Sequence, residues 1–408
     1  MDKPELITAT PVSGKKSTSS FSNPADILNH GNSKLGYKRV LLLAHDGEDF
    51  YKARIPFARY LQKEGCTVSV LLPADKYTEL IQEEGFEVQH SNLERDNTNL
   101  VNLISTILFV QSYTKKNNID LIHSFKFIPN LINVLSNIFT KKKVVLHIAG
   151  LGIAFANKSF RYRLIKIAFR VLFFFQFLRA DLIIIQNPDD FDDFLFKEHF
   201  RHKIKVVKGS GVNIETFHPR NKVGSENDKS VFLCTTRLIW EKGIAEMAQA
   251  FDSLPETIKS NIELLIIGDP DIKNPRAVSE EFIDRYKNSK VIRFLGRKSD
   301  VEKYLDSSDV FILPSYYREG IPRSILEALA CGLPIITTTV PGCNLTVKSG
   351  ENGFLIEPRS IDAIRQSVEE IVSQKANWKA MGESSRQLAV DEFSEEVVFS
   401  QIVKLYSE

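Results

Sequence analysis

Cysteine is scarce in this chain and unpatterned: Cys66, Cys234, Cys331 and Cys343 show no CxxC spacing. Cys234 and Cys331 sit inside apolar runs, so the four read as small core hydrophobes of a reducing compartment. Net charge is nearly absent too. The 53 Lys and Arg against 51 Asp and Glu leave +2, which argues against a dedicated nucleic-acid binder, because such proteins carry a strongly basic face. No stretch reaches the roughly 18 uncharged apolar residues of a membrane span. The closest, Ile167 to Leu178, contains Arg170 and Gln176 and is bordered by Arg161, Arg163, Lys166 and Arg179. Residues 1–37 lack a signal-peptide pattern, being polar and rich in Ser, Asn, Lys and Gly. They are expected to stay disordered.

What remains is an ordinary globular composition, 43% hydrophobic and 25% charged, in 408 residues. That length exceeds what one hydrophobic core usually serves, so two domains of roughly 200 residues each are expected. Strand-like runs alternate with amphipathic helices from Lys38 to about Asp391, which is the pattern of parallel sheets with crossover helices. In the first half the expected strands are Arg39–Ala44, Thr67–Leu72, Asp120–His123, Lys143–Ile148, Asp181–Gln186 and Ile204–Val207. In the second they are Ser230–Thr235, Glu263–Gly268, Val291–Leu295, Val310–Leu313, Pro334–Thr337 and Gly353–Ile356. The expected division is a first domain over 38–212, a linker over 213–229, a second domain over 230–390 and a C-terminal helix over 391–408 that could return to the first. Ligands of open α/β sheets gather at the carboxyl ends of the strands, so each domain would bind one substrate across a cleft.

The most informative stretch runs from Ser315 to Pro334 and places Glu319 and Gly320 in a loop after a strand. Pro322 and Ser324 suit a helix start, as an early-turn proline and a possible cap. Glu327, eight residues after Glu319, would sit about one turn inside that helix. A helix start offers N–H groups to a phosphate, and two carboxylates can accept hydrogen bonds from sugar hydroxyls. The alternative is that both glutamates are solvated loop and helix charges. Arg237 and Lys242 lie in the loop after the first strand of the second half. Two cations there could hold a diphosphate. The alternative there too is plain solvation.

These residues resemble the retaining glycosyltransferases of family 4, and within it the capsular and lipid-linked-oligosaccharide enzymes similar to CapM and PglA. The resemblance covers residues 38–408. It rests on Glu319 and Glu327, on Arg237 and Lys242, and on the strings Gly150-Leu-Gly152, Gln186-Asn-Pro-Asp-Asp190, Gly209-Ser-Gly-Val212, Gly268-Asp-Pro-Asp271 with Asn274-Pro275, and Val340-Pro-Gly-Cys343. It implies an α/β fold of the GT-B type, two Rossmann-like, doubly wound domains facing a cleft. It also implies a nucleotide-sugar donor, UDP-linked, with no cofactor and no metal, a lipid-linked acceptor, and a cytoplasmic, peripheral place at the inner face of the cell membrane. By the same resemblance Arg237 and Lys242 hold the donor pyrophosphate, Glu327 the ribose, and Glu319 with the Gly320 and Ile321 backbone the donor sugar. Gly268 joins the donor side, while Arg297 and Lys298 border the base. On the acceptor side His45, Glu48 and Arg54 belong to the loop Ala44–Arg54, and His123 and Lys126 follow a strand end, where a structural histidine is an equal reading. The resemblance implies a same-face attack assisted by the leaving phosphate, with no protein nucleophile. Asp189 and Asp190 read as helix caps rather than metal ligands.

Three other classes stay open or fall. A GT-B nucleotide-sugar epimerase would share the donor site, and an inactive sugar-binding scaffold would share the fold. A nicotinamide dehydrogenase fits less well, since Gly150-Leu-Gly152 follows a strand but lacks the third glycine and the acidic residue at the expected distance. The stretch Lys158–Arg179 reads as an interfacial helix or as a core helix; in the mixed case Arg161, Arg163, Lys166 and Arg170 face anionic lipid while the phenylalanines bury.

Overall fold

The computed structural model describes residues 36–91, 99–152, 155, 160–219, 229–272 and 274–408. The expected N-terminal extension up to residue 35, and residues 220–228 of the expected linker, lie outside them. The described chain forms two compact units, one from 36–91, 99–149, 160–210 and 395–408, the other from 150–152, 155, 211–219 and 229–394 apart from residue 273.

The first unit is built on seven parallel strands in the order β3-β2-β1-β4-β5-β6-β7. They are β1 (Arg39–Leu43), β2 (Thr67–Pro73), β3 (Glu87–Ser91), β4 (Leu121–Phe125), β5 (Lys143–Ile148), β6 (Leu182–Ile185) and β7 (Ile204–Val206). The central strands are buried on both faces, which explains their continuous Val, Leu and Ile runs. Strand β3 was not expected from the sequence: it is an edge strand with one buried residue, Val88, and so has no apolar run to show. The stretch Ala44–Arg54, expected as a loop, contains α1 (Gly47–Ala53) followed by α2 (Ile55–Lys63). Asp46 starts α1 by accepting the Asp49 N–H at 2.9 Å. Ala44 leaves β1 at its C-terminal end and is joined to β2 by a hydrogen bond to the Leu71 carbonyl.

Three further helices of this unit bear on function: α3 (Leu100–Lys116), α4 (Phe127–Ser136) and α5 (Phe160–Arg179). Helices α3 and α5 both pack against α4, so the three share one face of the sheet. Phe173, Gln176 and Phe177 turn inward from α5, while Leu164, Ile167, Val171, Phe175 and Leu178 form an exposed stripe at helical spacing. Lys166 and Arg170 do not face outward as expected, because both pair with Asp193, at 2.6 and 2.7 Å. Arg161's side chain lies outside the described ones.

The second unit has six parallel strands in the order β10-β9-β8-β11-β12-β13. They are β8 (Ser230–Thr235), β9 (Ile262–Ile267), β10 (Ile292–Phe294), β11 (Val310–Leu313), β12 (Ile335–Thr338) and β13 (Gly353–Ile356). Helix α6 (Arg323–Ala330) connects β11 to β12. The side chain of Arg386 reaches the carbonyls of Ile214, Phe217 and Ala330 from α7 (Trp378–Leu388), tying the chain entering this sheet to its last helices. The chain changes unit between Ser394 and Glu395, and α8 (Glu395–Tyr406) lays Phe399 against Phe57 and Tyr60 of α2, at ring distances of 5.3 and 5.7 Å.

Candidate functional site

In each sheet the strand order reverses once, at β1 and β4 in the first unit and at β8 and β11 in the second. Loops leaving the two strands of such a reversal turn to opposite faces and open a crevice between them. In the second unit those loops carry the residues singled out above.

The loop after β8 holds Arg237 and then a 3-10 turn, Trp240–Lys242. That turn is stitched to the loop after β11, for the Tyr316 N–H donates to the Glu241 carbonyl at 2.8 Å. Gly243 passes so close to Pro314 that a Cβ would lie 2.9 Å from its carbonyl carbon. The stitching brings Lys242 to Glu319 as an ion pair in which the lysine is almost wholly buried and the carboxylate partly so. Arg237 is half exposed and paired with Asp271 at 2.8 Å. Thr338 at the end of β12 donates to the Ser315 carbonyl at 2.5 Å, fixing the start of the same loop.

Glu327 lies one turn into α6 and pairs with Arg323 at 3.4 Å. The helix starts at Pro322 without a side-chain cap, so Ser324 is inside it and does not cap it. Gly320 and Ile321 are buried in front of this helix. Gly268 follows β9 with φ +144, and a Cβ there would sit 3.0 Å from the Thr236 carbonyl carbon. Arg297 lies after β10, its N–H donating to Asp269 at 3.0 Å; it is exposed, and Lys298 is half-buried. The charges leave their mark on two buried thiols. Burial pushes Cys343 up to about 12, with the Glu319 carboxylate adding to the rise; burial pushes Cys234 up to about 12 against the pull of Lys242. Neither thiol is a nucleophile at neutral pH.

The first unit's reversal gathers a different set. Lys126 holds Asp49 at 3.0 Å, and its φ of 71 and ψ of 174 lie in a region that glycine ordinarily occupies, a strain often found at functional sites. Burial raises the Asp49 carboxyl, but Lys126, Arg54 and His45 outweigh it and hold the group down to about 2. Glu48 pairs with Lys52 at 2.8 Å on the outer side of α1. Sequence reasoning gave Asp49 no role and quoted Asp271 only within a string; their pairing with Lys126 and Arg237, cations far from them in the chain, is seen only in the structure.

Two acceptor-side expectations change here. Arg54 is buried at the end of α1, its guanidinium 4.5 Å above the Phe125 ring. His123 sits inside β4, which runs on to Phe125, so it is wholly buried and not at a strand end. Its Nδ1 lies 2.5 Å from Tyr406 Oη and its Nε2 3.2 Å from His147 Nδ1, while His147 Nε2 lies 3.1 Å from Gln186 Nε2. If the Gln186 amide donates, each histidine accepts on one nitrogen and donates from the other, and Tyr406 Oη accepts the last proton. Burial, then the Arg54 charge, keeps both rings neutral by lowering them well below 6.5. Asn187, not Asp189 or Asp190, caps the turn Pro188–Asp193.

Two family models match this chain. "Glycosyl transferase 4-like" covers residues 39–187, and "Glycosyl transferases group 1" covers residues 216–388. The chain belongs to the GT-B glycosyltransferases of family 4. Among curated relatives, this family 4 enzyme is 24% identical to the N,N'-diacetylbacillosaminyl-diphospho-undecaprenol alpha-1,3-N-acetylgalactosaminyltransferase of Campylobacter jejuni, over 90% of this chain and 98% of the relative. It is 26% identical to the UDP-Gal:alpha-D-GlcNAc-diphosphoundecaprenol alpha-1,3-galactosyltransferase of Escherichia coli, over 73% and 78% of the two chains. Among solved structures, Anabaena HepE in complex with UDP superposes with a TM-score of 0.73 at 18% identity, covering 90% of this chain and 99% of HepE. A Rickettsia africae glycosyltransferase reaches 0.71 at 20% identity, covering 91% and 98%. At such identities these likenesses establish the fold. Among the described residues no helix of the glycosyltransferase is long and apolar enough to cross a membrane.

Proposed function

We propose that this glycosyltransferase moves a sugar, with retention of anomeric configuration, from a uridine diphosphate sugar to a lipid-linked saccharide at the cytoplasmic face of a membrane. The observation that carries the reading is the gathering of Arg237, Lys242, Glu319 and Glu327 on the loops and helix after β8 and β11 of one sheet. Arg237 and Lys242 supply positive charge for the diphosphate as the bond between the anomeric carbon and its phosphate oxygen breaks. Glu319 and the Gly320–Ile321 backbone take the sugar, Glu327 the ribose, and Arg297 and Lys298 border the base. The acceptor hydroxyl attacks from the face the phosphate leaves, and its proton passes to the departing phosphate oxygen. Asp49 and Lys126, with His45 and Glu48 nearby, present polar groups for the acceptor side.

The names of the Campylobacter and E. coli relatives support the lipid-linked acceptor, and UDP in HepE supports the donor. The exposed apolar residues of α3 (Leu100, Val101, Ile104, Leu108) and of α5, with Ile138 and Phe139 after α4, support a peripheral contact with lipid. The test is donor consumption by purified protein across a panel of UDP-sugars, with and without a membrane lipid extract. Release of UDP that needs the extract, with an α-linked lipid product from an α-linked donor, is expected. An isomerised nucleotide sugar formed without acceptor would show an epimerase instead, and a β-linked product would overturn retention.

A further inference from the structure

Two of the sequence strings, Gly150-Leu-Gly152 and Val340-Pro-Gly-Cys343, meet at one peptide bond. Gly150, with φ +98, lies against the Glu319–Gly320 peptide so closely that a Cβ would stand 2.6 Å from Glu319 Cα and nearer still to Glu319 C and Gly320 N. Gly342, with φ +93, crowds the two carbonyls of the same pair: its Cβ would stand 3.0 Å from Glu319 O, 2.9 Å from Gly320 C and nearer still to Gly320 O. A third tie comes from Gly152, whose N–H donates to the Arg318 carbonyl at 2.7 Å. All these residues belong to the second unit. Both glycines are in the left-handed region, and both face backbone, which cannot step aside as a flexible side chain can.

We propose that Gly150 and Gly342 are positioning residues that hold the Glu319–Gly320 peptide in one orientation. That peptide sets the direction of the Gly320 N–H and the place of Glu319 Cα, from which the side chain reaches Lys242. On the reading above, these are the groups that take the donor sugar, and the inference rests on that reading. Lys242 holds the carboxylate from one end and the two glycines hold its backbone. A side chain at either position would push the loop by about an ångström, and a displacement of that size costs on the order of 100-fold in rate when it falls on a group that aligns a reacting centre.

The experiment compares Gly150→Ala and Gly342→Ala with Gly350→Ala. Gly350 has φ +83 and open space where its Cβ would go, so it carries the backbone strain without the collision. With a UDP-sugar the enzyme consumes, the first two variants are expected to lose on the order of 100-fold in kcat while binding UDP alone within about twofold of the parent; Gly350→Ala should retain both. Amide hydrogen exchange reads the same device without activity: protection at Gly152 and Glu319, whose N–H groups donate to the Arg318 and Tyr317 carbonyls, should fall in Gly150→Ala and Gly342→Ala and hold in Gly350→Ala. Unchanged turnover and protection would overturn the inference, as would equal losses of UDP affinity and turnover. If the parent consumes no UDP-sugar, the functional reading falls by itself, and the exchange result still decides whether the glycines hold the peptide.

Discussion

The two sheets reverse strand order in the same way, and both carry polar residues close to the reversal, yet the residues do opposite things. In the second unit Arg237, Lys242 and Glu319 lie beyond the strand ends, on loops whose backbones are stitched together. Their pairs keep charges poised where a ligand can enter. In the first unit His123 and His147 lie inside the strands and spend their hydrogen bonds on Tyr406, Gln186 and each other. Two residues of depth along a strand separate an open side chain from a structural one, because a side chain within a doubly covered sheet meets only protein.

The largest effect expected from this contrast is on turnover. Lys242→Ala should cost about 2–4 kcal/mol of transition-state stabilisation, while Arg237→Ala should fall at the lower end because that side chain is half exposed. Single-turnover kinetics with saturating donor would show it, and unchanged rates in both variants would remove the second-unit site from the account. Next comes the apolar face. Changing Ile167, Val171 and Phe175 together to Gln should weaken sedimentation with liposomes by about 1 kcal/mol per side chain, on the order of 100-fold in all, with UDP affinity unchanged. Undiminished sedimentation would move the membrane contact elsewhere.

Tyr406→Phe should lower stability in urea by about 1–3 kcal/mol, since a buried imidazole N–H loses its acceptor, and leave the turnover of folded protein intact. A fall in turnover at full folding would mean that the first unit's buried chain does reach the chemistry. Protonation of Asp49 should have the smallest effect. Asp49, held down to about 2 from 3.8, adds stability that is complete above the ordinary carboxylate value and lost as pH falls toward 2. With a third of its side chain exposed, that is about 1–2 kcal/mol, and Asp49→Asn should flatten this part of the profile. The two neutral histidines act earlier: the unfolded chain takes up protons below 6.5 that the folded one refuses, so stability should begin to fall there. Urea midpoints between pH 7 and pH 2 measure both.

Much of the fold was readable because most of its strands are buried on both faces. The bounds of β5, β8, β11 and β13 agree with the apolar runs residue for residue. Edge strand β3 escaped, and α1 was read as a loop because its seven residues, Gly47–Ala53, show too little periodicity to register against the cap at Asp46. Of the site, the cations and carboxylates were legible as motifs at strand ends; their partners Asp271 and Asp49 were not, since each meets its cation across a distance in sequence that no spacing rule spans.

By itself the sequence determined the class of fold, the order of its strands along the chain and the loops on which charge would stand, because periodicity and local residue type are properties of neighbours in the chain. Tertiary structure alone decided which of those polar groups stand beyond the strand ends and which are buried. It buried His123 beside Tyr406, turned Lys166 and Arg170 of α5 onto Asp193 and left an apolar stripe outside, and set Gly150 and Gly342 against the backbone of Glu319 and Gly320. Each of those outcomes depends on a contact between residues remote in sequence, and burial and proximity of that kind are settled only when the sheets and helices pack.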